Sequence, residues 1–494
     1  MFSRKLFYLI IILGIFTRFI KIDWGNGNFF HPDENNMAIA ISQLSSTNLN
    51  PNFFAYGQFP LYLGYFTIRT LNIPNTFANS IYILRLYSAL FSVLSVFVFY
   101  LIANKLSLAD YSILFYIFCP GLIQLAHFGT TESLLVLIFL LNIYFSFKLK
   151  DKIDFNTLFL SGLINGIGVA TKISALAFTF PIFVALFIYL ISSKKRLITF
   201  ASFFTFILIF LIFGLIFSPY NIIDFKNFLA SMSYETGVAN GSIPVFYTTQ
   251  FKSTLPYIFQ FRHIFPYALG LPVFVLSIFG LYFILNKKIS RDWVIVLLST
   301  LTYFIYFGQL YVKWTRFMSP LFFVFILLTA LAISKIKIKT LKIILIIIAC
   351  LPGIYFLSIY FQPDIRVSTS KWIESNLPAN TTILSESGNV VNLPLTTKQY
   401  STINYDFYDY DKQTLSNVIF NSDYIIVPSR RVFKNYSYPY YLHLFNGSLG
   451  FKEIKKFDGA FENAEETWSV FDRPTIRIYQ KIFKLSKEDY EKLL

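Results

Sequence analysis

The sequence predicts an α-helical polytopic membrane protein with a small extracytoplasmic α/β domain at its carboxy-terminal end. Three observations predict it. The chain of 494 residues is 55% hydrophobic, and its mean hydropathy of +0.57 exceeds what soluble domains carry. The apolar residues are also segregated. Long, nearly uncharged runs fill the first 360 residues, whereas the chain from about Gln362 onward has ordinary mixed charge. Finally, alternate connections between the runs are rich in Lys and Arg, the pattern of short cytoplasmic loops.

Crossing a bilayer core takes about 20 apolar residues, and about eleven such segments are expected. They start near Leu6, Ser80, Ser112, Ser133, Phe155, Ile173, Leu197, Ile264, Trp293, Arg316 and Leu341. The third is broken by Cys119-Pro120-Gly121 and the fifth by Gly162, Gly166 and Gly168. The first follows Ser3-Arg4-Lys5 without a small-residue cleavage site, so it reads as a retained helix. One set of connections holds Lys105, Lys148 to Lys152, Lys194 to Arg196, Lys287 to Arg291 and Lys335 to Lys342. That set places the amino terminus in the cytoplasm and the tail outside the cell membrane. The expected organisation is a catalytic multi-span domain over 1–361, with external loops at about 23–79 and 218–263, and an α/β domain over 362–494.

In the tail, helices are expected at Ser368 to Asn376 and Asp411 to Phe420. Strands are expected at Thr381 to Ser385, Asp423 to Val427, Phe451 to Asp458, Trp468 to Asp472 and Thr475 to Ile482. The Tyr-rich run from Tyr405 to Tyr410 reads as an ordered loop. The net charge of +16 would point to nucleic acid in a soluble protein, but topology accounts for it here, so no nucleic-acid partner is expected. Cys119 and Cys350 both lie in apolar spans and have no disulfide or zinc spacing.

Charge scarcity directs the search for chemistry, because membrane proteins keep ionisable groups mainly where they act. The first 360 residues hold ten acids, of which Asp110, Asp151, Asp154 and Asp292 fall in cytoplasmic turns. Asp23, Asp33, Glu34, Glu132, Asp224 and Glu235 remain on the outer side. His31-Pro32-Asp33-Glu34 opens a segment with Met37, Ala40, Ile41 and Leu44 at the spacing of an amphipathic interfacial helix. Acids in a first helical turn also offset the dipole. The adjacency of this pair, at the membrane surface with no nearby cation in sequence, favours chemistry. Glu132 follows Thr130 and Thr131, where a threonine cap is the alternative. A carboxylate cluster with Asp33 is the functional reading. His31, His127, Asp33 and Glu132 are of types that can ligate a divalent ion but share no ligand spacing, so a metal is the minor alternative and no cofactor is expected. Lys172, at a helix start that disfavours a cation, and Arg316, with Lys313 nearby, are candidates for binding a phosphate. Arg262 and His263 pose the same choice at the mouth of the eighth span.

These motifs together resemble the GT-C superfamily of polytopic glycosyltransferases, in particular the family 39 group related to protein O-mannosyltransferases and aminoarabinose transferases. The resemblance runs through His31 to Glu34, Asn50 to Gly57 with Pro60-Leu61-Tyr62, His127 to Ser133, Gly166 to Lys172 and Lys313 to Pro320. In the tail it includes Asp423 to Val427 and Phe471 to Pro474. It implies transfer of a sugar, with inversion, from a polyprenyl-phosphate donor to a protein, lipid or glycan acceptor on the outer face. Asp33 stands at the family's catalytic-base position, Glu34 beside it and Glu132 at a second acidic position. Lys172, Arg316 and Lys313 would bind the donor phosphate, and His31, Tyr56, Gln58, Arg262 and His263 would contact substrate. One departure is Gln58-Phe59-Pro60, where many relatives carry Lys-Pro-Pro. The alternatives are a lipid or sugar transporter, which would place ionisable groups near the midplane, and a scaffold for surface polysaccharide, which would leave the acids without a task.

Overall fold

The computed structural model describes residues 4–286, 288–386, 393–395, 400–405, 410–428, 439–459, 461 and 463–494. Most of the expected Tyr405 to Tyr410 loop lies outside them. The helices begin with α1 (Arg4–Phe19), α2 (Pro32–Ser42), α3 (Phe59–Thr70), α4 (Phe77–Lys105), α5 (Ser112–Ile117), α6 (Pro120–His127), α7 (Glu132–Leu149) and α8 (Phe155–Val169). Next come α9 (Phe180–Ser193), α10 (Arg196–Phe217), α11 (Tyr220–Ile223), α12 (Phe225–Asn240), α13 (Ile258–His263), α14 (Phe265–Ala268) and α15 (Leu271–Leu285). The bundle ends with α16 (Arg291–Gly308), α17 (Phe322–Ser334) and α18 (Lys339–Ser358). Single 3-10 segments, Ile173–Thr179 and Thr315–Leu321, lead into α9 and α17.

Every expected apolar segment coincides with helix, and among the described residues six are long and apolar enough to cross a membrane. The eighth expected span is instead a bent pair, α13–α14 and α15 meeting at 119°, because Gly270 at φ 83° turns the chain before Pro272. The third is broken as expected. Cys119 is extended, Pro120 opens α6, and the carbonyls that end α5 are taken up by a buried Arg18, which donates to Tyr116 O at 3.0 Å and to Ile117 O. A guanidinium at a helix carboxy-terminus both satisfies those carbonyls and opposes the dipole.

Burial orders the bundle. The span at α10 has 11% of its residues buried and carries a lipid-type surface of Leu197, Phe200, Phe204 and Leu208. The spans at α7 and Thr315–Ser334 are 83% and 78% buried, so they form the centre. At the lysine-rich end, Lys150 pairs with Asp151 at 2.7 Å and with Asp292 at 3.2 Å, consistent with structural turns there. α2 differs from its expected interfacial placement. Met37, Ala40, Ile41 and Leu44 are buried against Tyr56, Leu61, Tyr65, Ile68 and Leu84, so its apolar face packs on α3 and α4 rather than on lipid.

The tail holds α19 (Ile365–Asn376), β1 (Thr382–Glu386), β2 (Ser401–Tyr405), α20 (Lys412–Asn421), β3 (Tyr424–Val427), α21 (Pro439–Phe445), β4 (Phe451–Phe457), β5 (Ile476–Lys481) and α22 (Lys487–Leu493). The strands form one mixed sheet in the order β2-β1-β3-β5-β4. β1 is parallel to β2 and β3, and β5 is antiparallel to β3 and β4. β3 is buried on both faces, as a central strand should be. Tyr424 and Ile426 meet Ile373 of α19, while Ile425 and Val427 join the cluster continuous with the helical bundle.

The segment expected as a strand at Trp468 to Asp472 is instead a 3-10 turn, Glu466–Trp468, followed by a loop. Its apolar residues pack on helices, Trp468 on Phe356 at 4.8 Å, and Ser469 N and Val470 N donate to Glu466 O. The alternation of large side chains served insertion into the bundle rather than sheet pairing.

Candidate active site

The two most buried spans begin at the same end of the bundle, and each presents one charged residue there, Glu132 on α7 and Arg316 on the segment leading into α17. α2 ends its approach beside them. His31 caps α2, its Nδ1 accepting from Asp33 N at 3.2 Å, so a neutral His31 holds its proton on Nε2. Burial keeps His31 in that form. Its ring packs against Phe128 at 4.5 Å and Phe471 at 4.2 Å.

Asp33 accepts a hydrogen bond from Arg316, 283 residues away in sequence. Glu132 pairs with Lys172 at 3.4 Å. Two acids and two cations from four distant segments thus face one another. Asp33 and Arg316 keep 19% and 22% of their side-chain surface exposed, and Lys172 and Glu132 keep 18% and 3%, so Asp33 is the more accessible of the two carboxylates. Burial pushes Asp33 toward the protonated form, but the charges of Arg316 and Lys172, with a hydrogen bond from Tyr56, outweigh it and hold the carboxyl below its ordinary range. Burial lowers Lys172 despite Glu132 beside it. Thr131 makes no capping bond to α7, so the threonine-cap explanation for Glu132 does not apply.

Lys172 is placed by backbone contact. Gly57 N donates to Thr171 O at 2.9 Å and Phe59 N to Ala170 O at 3.0 Å, docking the first long loop on the turn that carries Lys172. A side chain at position 57 would put its Cβ 2.1 Å from Ala170 O, so glycine is required there. The same loop lays Tyr56 under the ammonium, 5.1 Å from Nζ, with Phe317 at 5.4 Å on another side. Arg316 lies over Trp314 at 4.7 Å.

Several expected site residues stand elsewhere. Glu34 is buried in an ion pair with Arg85, accepting at 2.8 to 3.2 Å, and takes Gly129 N at 2.6 Å. Arg85 also donates to Ile22 O at 3.1 Å and Trp24 O at 3.0 Å, so this pair fastens the loop before α2 to α4. Gln58 is buried too, bonded to Tyr220 N at 3.0 Å, Asn221 at 3.1 Å and Tyr62 at 3.2 Å. It joins the two long loops. Lys313 donates to Tyr311 O at 2.8 Å rather than to either carboxylate, and burial lowers it to about 8. Arg262 is exposed, and His263 Nδ1 lies 2.6 Å from Asn463 O in the tail. Both ring nitrogens of His127 lie 2.8 Å from carbonyls, of Ile123 and Ile20, so His127 is committed away from the acids. Among the described residues no group of three or more His, Cys, Asp or Glu is arranged to hold a metal ion.

Other contributors were not singled out from sequence. Glu235 of α12 lies within electrostatic reach of Arg316, Lys172 and Asp33, and burial raises its pKa. The tail also enters the site, Thr467 and Phe471 lining a narrow cavity with His31, Gln124, Glu132 and Arg316.

Residues 70–223 match the family model described as dolichyl-phosphate-mannose-protein mannosyltransferase, a stretch that includes Glu132 and Lys172. No curated protein sequence matches the chain. The structure is similar to that of ArnT from Cupriavidus metallidurans bound to undecaprenyl phosphate, with TM-score 0.53 and 11% identity over 97% of this chain and 98% of that one. ArnT in the apo state gives TM-score 0.50 and 12% identity over 96% and 98%. The Archaeoglobus fulgidus oligosaccharyltransferase gives 0.47 and 11% over 85% and 69%. The mannosyltransferase model thus matches a stretch of the helical bundle, and the chain shares the fold of ArnT over nearly all its length.

Proposed function

We propose that the chain transfers a sugar from a polyprenyl-phosphate donor to an acceptor on the extracytoplasmic face, with Asp33 as general base. The observation that carries this reading is the convergence of Asp33 with Arg316 and of Glu132 with Lys172 at one end of the bundle. The basic connections lie at the other end, and the positive-inside rule makes that end cytoplasmic. A membrane-embedded donor fits, because the loops on the basic side are too short to fold a nucleotide-sugar site. ArnT, whose fold this chain shares, has been obtained with undecaprenyl phosphate.

In the proposed reaction the acceptor hydroxyl gives its proton to an Asp33 oxygen while its own oxygen forms the new bond to the anomeric carbon. The bond from that carbon to the donor phosphate breaks, and its electron pair leaves on the phosphate oxygen. Arg316, with a planar fork suited to phosphate, and Lys172 stabilise that charge. A phosphate held by Arg316 competes with Asp33 for the guanidinium. Donor binding would therefore release Asp33 and raise its basicity at the moment a proton must be accepted. Glu132 holds Lys172 in place, and Glu34 holds α2. The test is transfer from radiolabelled undecaprenyl-phosphate sugars by the purified chain in liposomes. Loss of turnover in Asp33→Asn with donor binding retained supports the reading, and undiminished turnover removes Asp33 as base.

A further inference from the structure

We infer that Glu465 of the tail is a positioning residue for Arg316, so that the carboxy-terminal domain sets the geometry of the proposed phosphate clamp. The inference rests on the phosphate-clamp reading only for its functional consequence.

Glu465 is fully buried, and its carboxylate gathers three separate parts of the chain. Oε2 accepts from Thr315 N at 3.1 Å and from Thr315 Oγ1 at 2.9 Å. Oε1 accepts from Gln250 Nε2 at 2.9 Å and from Thr467 N at 3.0 Å, and the Thr467 hydroxyl also bonds Oε2. The backbone joins in, Glu465 N donating to His263 O at 2.9 Å and Glu466 N to Gln250 Oε1 at 3.1 Å. A buried carboxylate is costly unless its lone pairs are filled, and here donors from the tail, the second long loop and the start of a span fill them.

Thr315 immediately precedes Arg316 and opens the 3-10 segment leading into α17. The first N–H groups of a helix lack internal partners and favour a negative charge. Glu465 supplies that charge from another domain, fixing the backbone from which Arg316 projects. Trp314, on the other side of Thr315, is packed by Tyr247 and Phe251 and lies under the guanidinium. Arg316 thus emerges from a backbone held by Glu465 and rests on a ring held by the second long loop.

The full chain in nanodiscs provides the test. Arginine labelling by phenylglyoxal, followed by peptide mass spectrometry, reports the freedom of Arg316, with exposed Arg69 as internal reference. Glu465→Gln should label at Arg316 roughly tenfold faster, the equivalent of one lost charge-assisted hydrogen bond, with Arg69 unchanged. Undecaprenyl phosphate should bind Glu465→Gln about tenfold more weakly than wild type, and the same substitution should cost nothing further in an Arg316→Ala background. Unchanged Arg316 labelling in folded Glu465→Gln, or additive losses in the double variant, would overturn the inference. If Glu465→Gln fails to fold, Thr315→Val removes one of the bonds, and labelling equal to wild type there overturns it as well. Wild type that ignores undecaprenyl phosphate would sink the lipid-phosphate reading alone, since the labelling arm uses no lipid.

Discussion

Glu34 distinguishes a structural carboxylate from a chemical one, and Glu34→Ala gives the sharpest stability prediction. Arg85 is fully buried inside α4. Without Glu34 it would keep Ile22 O and Trp24 O but lose its countercharge, and breaking a buried pair in this way costs about 3–5 kcal/mol. Gly129 N would also lose its acceptor, a further cost of about 1–3 kcal/mol. The two overlap, so a loss of about 5 kcal/mol is expected, against a total stability on the order of 5–15 kcal/mol. Glu34→Ala should therefore yield little folded chain in detergent, read by thermal challenge and size-exclusion chromatography. Replacing both partners, Glu34→Leu with Arg85→Leu, should recover most of the folded yield, because the desolvation of both charges is removed together. That double variant should also retain measurable transfer, since Asp33 remains. Wild-type stability of Glu34→Ala would refute the calculation. A stable double variant with no turnover, alongside an active Asp33→Asn, would make Glu34 the base.

Asp33→Asn should lower turnover about 10²–10⁴-fold, the usual worth of a general base, with donor affinity held, as measured by radiolabelled transfer and lipid titration. Arg316→Ala and Lys172→Met should instead weaken undecaprenyl-phosphate binding, with unchanged titration curves counting against the clamp. The cations around Asp33 hold its pKa below the ordinary value, so the acid limb of kcat/KM should lie below about pH 4, and Arg316→Gln should move it upward. Burial raises Asp472 to about 6, above an unfolded value of about 3.9. The folded state then binds more protons between those values, and this residue's contribution to stability falls by roughly 2–3 kcal/mol as pH rises through that window. Asp472→Asn, which can still accept from Tyr360 and Gln124, should flatten that part of the stability profile in thermal unfolding.

The bundle was legible because a bilayer imposes long apolar helices, and the same constraint made Asp33, Glu132, Lys172 and Arg316 conspicuous against an uncharged background. Their pairing was not legible. Asp33 and Arg316 are 283 positions apart, and nothing local to either names the other. Arg85 carries a signal of a different kind. A cation well inside the apolar run of α4 requires a partner, and Glu34, adjacent to Asp33 yet facing Arg85, is that partner. Gln58 gave the opposite difficulty, because a neutral amide in a loop looks free until Tyr220, Asn221 and Tyr62 are seen around it.

The tail was the least readable part of the site for a physical reason. Its composition is that of a soluble domain, so a buried acid such as Glu465 does not stand out among neighbours that meet water. Trp468 and Phe471 looked like alternate residues of a strand, and only contact with Phe356 and His31 shows that they enter the helical bundle. Scarcity of charge identifies working residues where lipid is the solvent. It loses that power where a second domain, with charge to spare, reaches in to complete the site. A chain of this design should therefore carry its least detectable site residues in its most ordinary sequence, as with Thr467 and Phe471, which line the cavity beside Arg316.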